Sequence, residues 1–327
     1  MIVARTIEEI QDTIAGSCVT IGNFDGVHKG HQKLIQLACS RAKAQDLVSV
    51  VVTFDPHPLR VLRSDRTPPF ITLTEQKIEL ISQHGPQVCL LLNFTMDMAK
   101  LAPEEFVKKY LLDGLNMKEM IIGYDYHLGK GRAGNFETLT ELGVKHGFTV
   151  DRLDPVSMED AVVSSTRIRD LVQAGKVWPV RPLLGRFYQV KGEVVHGMNR
   201  GGRLLGFPTA NLKLVDELFP KTGVYAIWVE VDNEVRMGVA NIGKNPTFGN
   251  DALSVEAHIL DFDGDLYERD IRVHFVQRIR DEIKFNGIDE LKDRIGKDIA
   301  LGRQILSQPE AEIKLTKPDF ENSPDTK

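Results

Sequence analysis

In the first half of the chain, short unbroken apolar runs alternate with longer stretches whose apolar residues recur every three or four positions. The runs Cys18 to Ile21, Leu47 to Phe54, Val88 to Phe94 and Glu119 to Ile122 predict strands. LVSVVVTF, Leu47 to Phe54, does not alternate, which suits a strand covered on both faces as in a parallel sheet. Between the runs, Leu34, Ile35, Ala38 and Ala42 keep helical spacing. Thr74 to Gln83 predicts a helix capped by Thr74, and Pro103 to Leu112 predicts one with proline in its first turn. This alternation is that of a doubly wound parallel sheet. At KVWPVRPLLG, Lys176 to Gly185, two prolines interrupt the rhythm and set a domain boundary. Beyond it, Phe187 to Val195, Val224 to Val231, Arg236 to Ile242, Ser254 to Leu260 and Ile271 to Val276 predict strands with short connections, hence an antiparallel barrel. An amphipathic helix presenting Ile288, Leu291, Ile295 and Ile299 closes it. The expected fold class is α/β plus β, with domains at 1–180 and 185–310 and a disordered polar tail at 311–327.

Composition narrows the function without naming it. The chain is 42% hydrophobic and 27% charged, enough for two substantial cores. A net charge of −5 provides no basic field, so nucleic acid is not an expected partner, and positive groups for any phosphate must be concentrated locally. Apolar runs are far shorter than a membrane span, and MIVARTIEEI has no secretory pattern. Cys18, Cys39 and Cys89 are odd in number, widely spaced and in apolar context, which suits core thiols of a cytoplasmic protein. Oligomeric state is not readable.

The candidate chemistry is concentrated in CVTIGNFDGVHKGHQKLIQLA, residues 18–38. It reads as strand, tight loop and helix. Glycines allow close backbone approach, and a helix start offers free N–H groups and a positive dipole end to an anion. His28 and His31, three apart, share one face there and can each donate to a phosphate oxygen. By spacing alone the same pair also fits surface histidines or part of a metal site. DPHP, Asp55 to Pro58, ends a strand at the edge where open α/β sheets bind ligands, although a plain turn accounts for it equally. GYDYHLGKGRAGN, Gly123 to Asn135, is a glycine-rich basic loop. VSSTRIR, Val163 to Arg169, puts hydroxyls and arginines at the start of a helix that Gly175 ends.

The string GNFDGVHKGH resembles the signature of nucleotidyltransferases with a His-x-x-His element, and its flanks are similar to the bifunctional riboflavin kinase/FAD synthetase family of bacteria. Ser164, Ser165, Thr166 and Arg169, about 130 residues later, match the second signature of those enzymes in the expected order. The resemblance implies that the first domain has the nucleotidyltransferase fold. It implies that Gly22, Asn23, Phe24, Asp25 and Gly26, with Ser164, Ser165 and Thr166, contact ATP phosphates, and that His28, His31 and Arg169 are catalytic. Phe54, Pro56, His57 and Pro58 match its Phe-x-Pro-His-Pro element and are implied to border the nucleotide and flavin. Asp125 and Tyr126 are implied to face the flavin, with Asp125 a possible Mg²⁺ contact. Tyr126 and Leu128 stand where that family has phenylalanines, which puts flavin affinity there in question.

GFPTAN, Gly206 to Asn211, matches the riboflavin kinase signature of the same family without a change. That implies ATP phosphates cradled near Gly206 and Pro208, with Thr209 and Asn211 on Mg²⁺. Arg200 and Arg203 sit in a stretch one glycine longer than the commoner form. Asn241 and Pro246 to Phe248 match a flavin loop, so Asn241 and Phe248 are implied flavin contacts. Glu256 occupies the place of the catalytic glutamate, a carboxylate in an otherwise apolar strand whose facing alternation does not settle. Asp261, Asp263 and Asp265 lack the rest of a calcium loop and read as a polar turn. The expectation is therefore an ATP- and Mg²⁺-dependent enzyme that makes FMN from riboflavin and FAD from FMN. Two other readings are a chain effective only as riboflavin kinase and a non-catalytic flavin-binding module. A transferase for another phosphate ester such as phosphopantetheine shares the first motif but leaves the GFPTAN domain unexplained.

Overall fold

The computed structural model describes residues 1–62, 67–195, 206–214, 217–244 and 253–313. The chain forms two compact units, Met1–Ser164 and Ser165–Leu315.

The first unit is a six-stranded parallel sheet. Its strands are β1 (Ile2–Ala4), β2 (Ser17–Ile21), β3 (Val48–Phe54), β4 (Val88–Leu92), β5 (Met117–Gly123) and β6 (Thr149–Leu153), in the order β1-β4-β3-β2-β5-β6. From β2 the sheet grows one way through β3 and the other way through β5, so the switch point of a doubly wound sheet lies at the end of β2. The unbroken apolar runs have the physical cause expected. Cys18, Val51, Cys89, Leu91 and Ile121 pack on one face, against Leu34, Ile35, Ala38 and Ala42 of α1 (Lys29–Ala44) and Leu80 and Ile81 of α2 (Thr74–Ser82). Val19, Val50, Val52, Leu90, Leu92, Met120 and Ile122 pack on the other, against Phe106 and Leu111 of α3 (103–115) and Leu139 of α4 (Phe136–His146). Each such side chain is worth about 1.5–3 kcal/mol when fully buried, which no polar residue at these positions would supply. At α3 Pro103 occupies the first turn as expected, but the helix runs on to Leu115, three residues past the expected end at Leu112; residues Val107–Leu112 form a π-helical turn within it.

Thr74 does not cap α2. Leu73 precedes the helix without a side-chain cap, and the Thr74 hydroxyl instead donates to Asp55 Oδ1 at 3.2 Å. All three cysteines are free thiols; burial pushes Cys18 and Cys89 up to about 12.

The second unit opens with α5 (Ser165–Gln173), followed by a closed antiparallel barrel. The barrel strands are β7 (Tyr188–Val195), β8 (Ala210–Lys213), β9 (Gly223–Val231), β10 (Glu234–Lys244), β11 (Leu253–Ile259) and β12 (Asp270–Arg280), in the order β8-β11-β10-β9-β12-β7. Tyr188, Tyr225 and Phe275 are fully buried and in ring contact, at 6.1 and 5.4 Å between centroids. The closing helix is α6 (Ile288–Leu306), but its buried face is not the apolar stripe expected. Ile288 is 66% exposed, whereas Asp298, Gly302 and Leu306 are buried. Gly302 permits close approach: a Cβ there would lie 2.9 Å from Val239 of β10. The start of the expected tail is packed, because Trp228 Nε1 donates to the carbonyl of Ala311 at 2.7 Å; residues 314–327 lie outside the described residues. Asp261 sits in a turn and pairs with Arg303, in keeping with the polar-turn reading.

Candidate functional site

At the end of β2 the chain enters α1 through a loop that three residues take in the left-handed region: Phe24 (φ 49°), Gly26 (φ 83°) and Val27 (φ 39°). For Phe and Val this backbone is strained, and such strain persists only where surroundings enforce it. The enforcement is visible. Asp25 is 4% exposed and its Oδ1 accepts from the backbone N–H of Ile71 at 3.0 Å and of Thr72 at 3.1 Å, while Gly26 N donates to Thr72 Oγ1 at 3.0 Å. Asp25 thus anchors the loop to the segment before α2. A Cβ on Gly26 would meet Ile71 at 2.9 Å, so only glycine fits.

His28 is the N-cap of α1 and its Nδ1 accepts from the His31 N–H at 3.3 Å, which puts the proton of the neutral ring on Nε2. The His28 and His31 rings stack at 3.6 Å and 17°, and Phe24 meets His31 edge-on at 5.2 Å. His31 Nδ1 is buried without a hydrogen-bond partner among the described residues. Burial, reinforced by His28 and Lys77, holds the His31 ring well below the usual histidine range. His31 is therefore neutral, and its unpartnered Nδ1 lies against the N-cap residue of the helix. This arrangement suits an incoming anion.

The strand-3 turn lies on the same unit. Phe54 is buried, the Asp55–Pro56 bond is cis, His57 Nδ1 accepts from Leu59 N–H at 3.1 Å, and Pro58 begins a short helix. Thr53 Oγ1 donates to the carbonyl of Asn23 at 3.3 Å, tying this strand end to the histidine loop. Gly22 and Phe24 pack together, and Asn23 is exposed. Asp125 is exposed. Tyr126 is half-buried against the sheet's core, with its hydroxyl pushed up by burial, and Leu128 is buried in that core. Ser165, Thr166 and Arg169 lie on α5 in the second compact unit, and Ser164 is the last residue of the first. Ile168 and Val172 face inward there, leaving Thr166 exposed.

The barrel carries a second constellation. Val255 and Ala257 are fully buried toward its interior, so Glu256 between them faces out; this settles the facing that alternation left open. Cross-strand register sets Asn211 of β8 and Asn241 of β10 directly opposite Glu256, giving a polar row on the outer face. The row continues through Val224 of β9 to Arg280 of β12. It borders a cavity of about 310 Å³ that Thr209, Asn241, Glu256 and Glu282 line on the polar side and Phe285, Leu291 and Ile295 on the apolar side. Burial first, then the like charge of Glu282, raises Glu256 above the usual carboxylate range. Gly206 has a left-handed φ of 81°, and the Pro208 carbonyl accepts from His258 Nδ1 at 2.7 Å, fixing the approach to Thr209. Arg200, Arg203, Pro246 and Phe248 lie outside the described residues.

Two residues that line this cavity, Arg280 and Asp298, escape sequence reasoning. Asp298 of α6 is buried and accepts from Arg280 Nε at 2.8 Å, with Arg280 Nη2 at 2.6 Å and Arg294 Nε at 3.3 Å. This clamp holds α6, and with it Leu291 and Ile295, against the barrel. Each partner alone reads as ordinary surface charge, and the only available signal was an aspartate interrupting the apolar stripe of α6.

A parallel α/β unit with a histidine loop at its switch point, followed by a barrel with a carboxylate-lined cavity, defines a two-domain phosphate-transferring enzyme. Comparison makes the class specific. A family profile described as FAD synthetase matches residues 10–167, and one described as riboflavin kinase matches residues 184–306. The bifunctional riboflavin kinase/FMN adenylyltransferase of Bacillus subtilis (strain 168) is 41% identical over 295 residues, covering 88% of this chain and 92% of its own. That of Pseudomonas fluorescens is 37% identical over 308 residues, covering 94% and 98%. A crystal structure described as a macrolide-efflux protein from Streptococcus pneumoniae is 33% identical with a TM-score of 0.82, covering 93% of this chain and 99% of that one. The chain belongs to the bifunctional riboflavin kinase/FMN adenylyltransferase family. It is an enzyme with both activities, using riboflavin, FMN and ATP. No helix among the described residues is long and apolar enough to cross a membrane.

Proposed function

We propose that the two activities are carried by the two constellations above, adenylyl transfer within residues 1–180 and phosphorylation within 185–310. The observation that carries the second assignment is the cross-strand row Asn211–Glu256–Asn241, of which Glu256 and Asn241 line the cavity. The isoalloxazine packs on Phe285, Leu291 and Ile295, and Asn241, with Phe248, contacts the flavin. Glu256 takes the proton of the riboflavin 5′-hydroxyl as that oxygen attacks the γ-phosphorus of ATP and ADP leaves. A carboxylate made more basic by burial suits this role. Gly206 and Pro208 border the ATP phosphates.

Among the described residues no group of three or more His, Cys, Asp or Glu could cage a metal. The Thr209 hydroxyl and the Asn211 amide oxygen are hard donors of the kind Mg²⁺ accepts when nucleotide phosphates complete its shell, so these two residues would hold it. Asp125, an exposed carboxylate, would serve similarly at the first site. The metal's contribution is to neutralise phosphate charge.

In the first site an FMN phosphate oxygen attacks the α-phosphorus of ATP, a P–O bond forms, and pyrophosphate leaves. The FMN phosphate is already ionised at neutral pH, so alignment and charge neutralisation suffice. His28 and His31 contact the ATP phosphates with the loop Gly22, Asn23, Phe24, Asp25 and Gly26, Asp25 acting through the fold of that loop. Ser164, Ser165, Thr166 and Arg169 supply further phosphate contacts, and Phe54, Pro56, Pro58 and Tyr126 border the flavin. The enzyme works in the cytoplasm, a reading that its three unpaired thiols support.

The test is a time course with riboflavin, ATP and Mg²⁺, resolved by chromatography. FMN should appear first and FAD second. His28→Ala should stop the course at FMN, and Glu256→Ala should stop riboflavin turnover while still converting supplied FMN; each loss should be about 100-fold or more, the size of an acid–base or charge-stabilising contribution. Equal residual activity in either variant overturns the assignment of that site.

A further inference from the structure

Beside the histidine loop lies a cation that the chemistry above leaves unused. Lys77 of α2 is 5% exposed. Its ammonium donates to the carbonyl of Phe54 at 3.3 Å, at the end of β3 where the 55–58 turn begins, and this is its one hydrogen bond among the described residues. An ammonium has three donors and is costly to bury unless it is paired and bonded. Asp25 and Asp55 are near enough to act on it, yet their oxygens bond elsewhere: Asp25 to the Ile71 and Thr72 N–H groups, Asp55 to Thr74 and Arg5. A leucine or methionine would fill the position without this cost. Its partner Phe54 follows Thr53, whose hydroxyl donates to the Asn23 carbonyl of the histidine loop, where His31 Nδ1 is buried without a partner among the described residues. Burial lowers the Lys77 ammonium from the usual lysine range, so an anion bound at this end of the sheet would favour its charged form and meet both under-satisfied groups.

We propose that Lys77 is a positioning residue of the adenylyl-transfer site: held by the Phe54 carbonyl at the end of β3, it supplies the positive charge behind the His28–His31 loop that selects the pyrophosphate end of ATP. No bond forms or breaks at Lys77. The proposal rests on the reading that His28 and His31 face the ATP phosphates.

The experiment is the reverse reaction, FAD plus pyrophosphate to FMN plus ATP, which uses only the adenylyl-transfer site. It is run on the full chain and on Lys77→Met, Lys77→Arg and His28→Ala. Lys77→Met should raise the KM for pyrophosphate at least about tenfold, the effect of ~1.4 kcal/mol of lost interaction. The KM for FAD and the riboflavin kinase activity of the same sample should stay within about twofold of the parent, well inside that tenfold step. Lys77→Arg should recover most of the loss. A purely structural role would raise both KM values together and would not be rescued by charge; either result overturns the proposal. An unchanged KM for pyrophosphate also overturns it. If Lys77→Met fails to melt cooperatively, Lys77→Gln against Lys77→Arg decides by the same two KM values. His28→Ala separates the two levels: if it leaves pyrophosphorolysis intact, the reading of the histidine site falls; if it abolishes the reaction while Lys77→Met is silent, only the Lys77 proposal falls.

Discussion

Glu256 and His31 show, residue by residue, how function sets local stability against charge. Glu256 titrates above 4.5 in the fold because it is largely buried and faces Glu282. The folded state therefore holds its proton more tightly than the unfolded chain does. The stability this provides is complete below pH 4.5 and is lost as pH rises through the folded value. At neutral pH the ionised carboxylate is a burden that proton abstraction requires. Glu256→Gln should thus melt higher than the parent at pH 7, by a margin that shrinks toward pH 4.5, while kinase activity is lost. Thermal melts of both proteins across that range check it, and a lower melting temperature for the variant at pH 7 would contradict the burial account. His31 runs the other way. Its folded value lies below 6.5, so the unfolded chain binds the proton first, and stability falls as pH drops below 6.5.

Elements place these residues, and here what sequence reveals divides sharply. Parallel strands buried on both faces read as unbroken apolar runs, so β2, β3, β4 and β5 were legible within a few residues. The edge strands were not: β1 has only three residues, and β6, TVDRL, is polar and largely half-exposed. Strand β8 was hidden inside GFPTANL, where proline and glycine suggest only a loop. The histidine loop was legible because its motif requires that order of residues. Lys77 was not, because a lysine on an amphipathic helix looks like solvent-facing charge, and its burial depends on the chain packed over it. The Arg280–Asp298 clamp is opaque for the same reason, its partners being 18 residues apart. That clamp carries a prediction. Asp298→Ala would leave Arg280, with a side chain only 12% exposed, without its main partner. Removing one member of a buried pair costs about 3–5 kcal/mol. The second unit should melt correspondingly lower and the KM for riboflavin should rise as α6 loosens from the cavity, with FMN adenylylation unchanged. Calorimetry and the two half-reaction assays would decide; a parent-like melt would show that the backbone carbonyl of Asp281 is enough to hold Arg280 without Asp298.

For the whole molecule, the important quantity is the independence of two chemistries that share one intermediate. Each constellation is built from its own elements and its own network. The histidine loop is fixed by Asp25, Thr53 and Thr72, the cavity by barrel register and the clamp on α6. FMN is the product of one and the substrate of the other, and nothing in either network requires that it be handed over rather than released. The physical consequence is that two broken chains should complement each other. His28→Ala retains the kinase and accumulates FMN; Glu256→Ala retains the adenylyltransferase and cannot start from riboflavin. Mixed in equal amounts, they should restore FAD production from riboflavin, after a lag that lengthens as the mixture is diluted, because the intermediate must cross solution at a bimolecular rate. Dilution should leave the lag of the parent chain unchanged only if FMN passes within one chain. FAD formed by the mixture would establish that each site works without its neighbour's chemistry. Its absence, with each half-reaction intact in the separate variants, would mean that FMN made at the barrel does not reach a histidine loop on another chain.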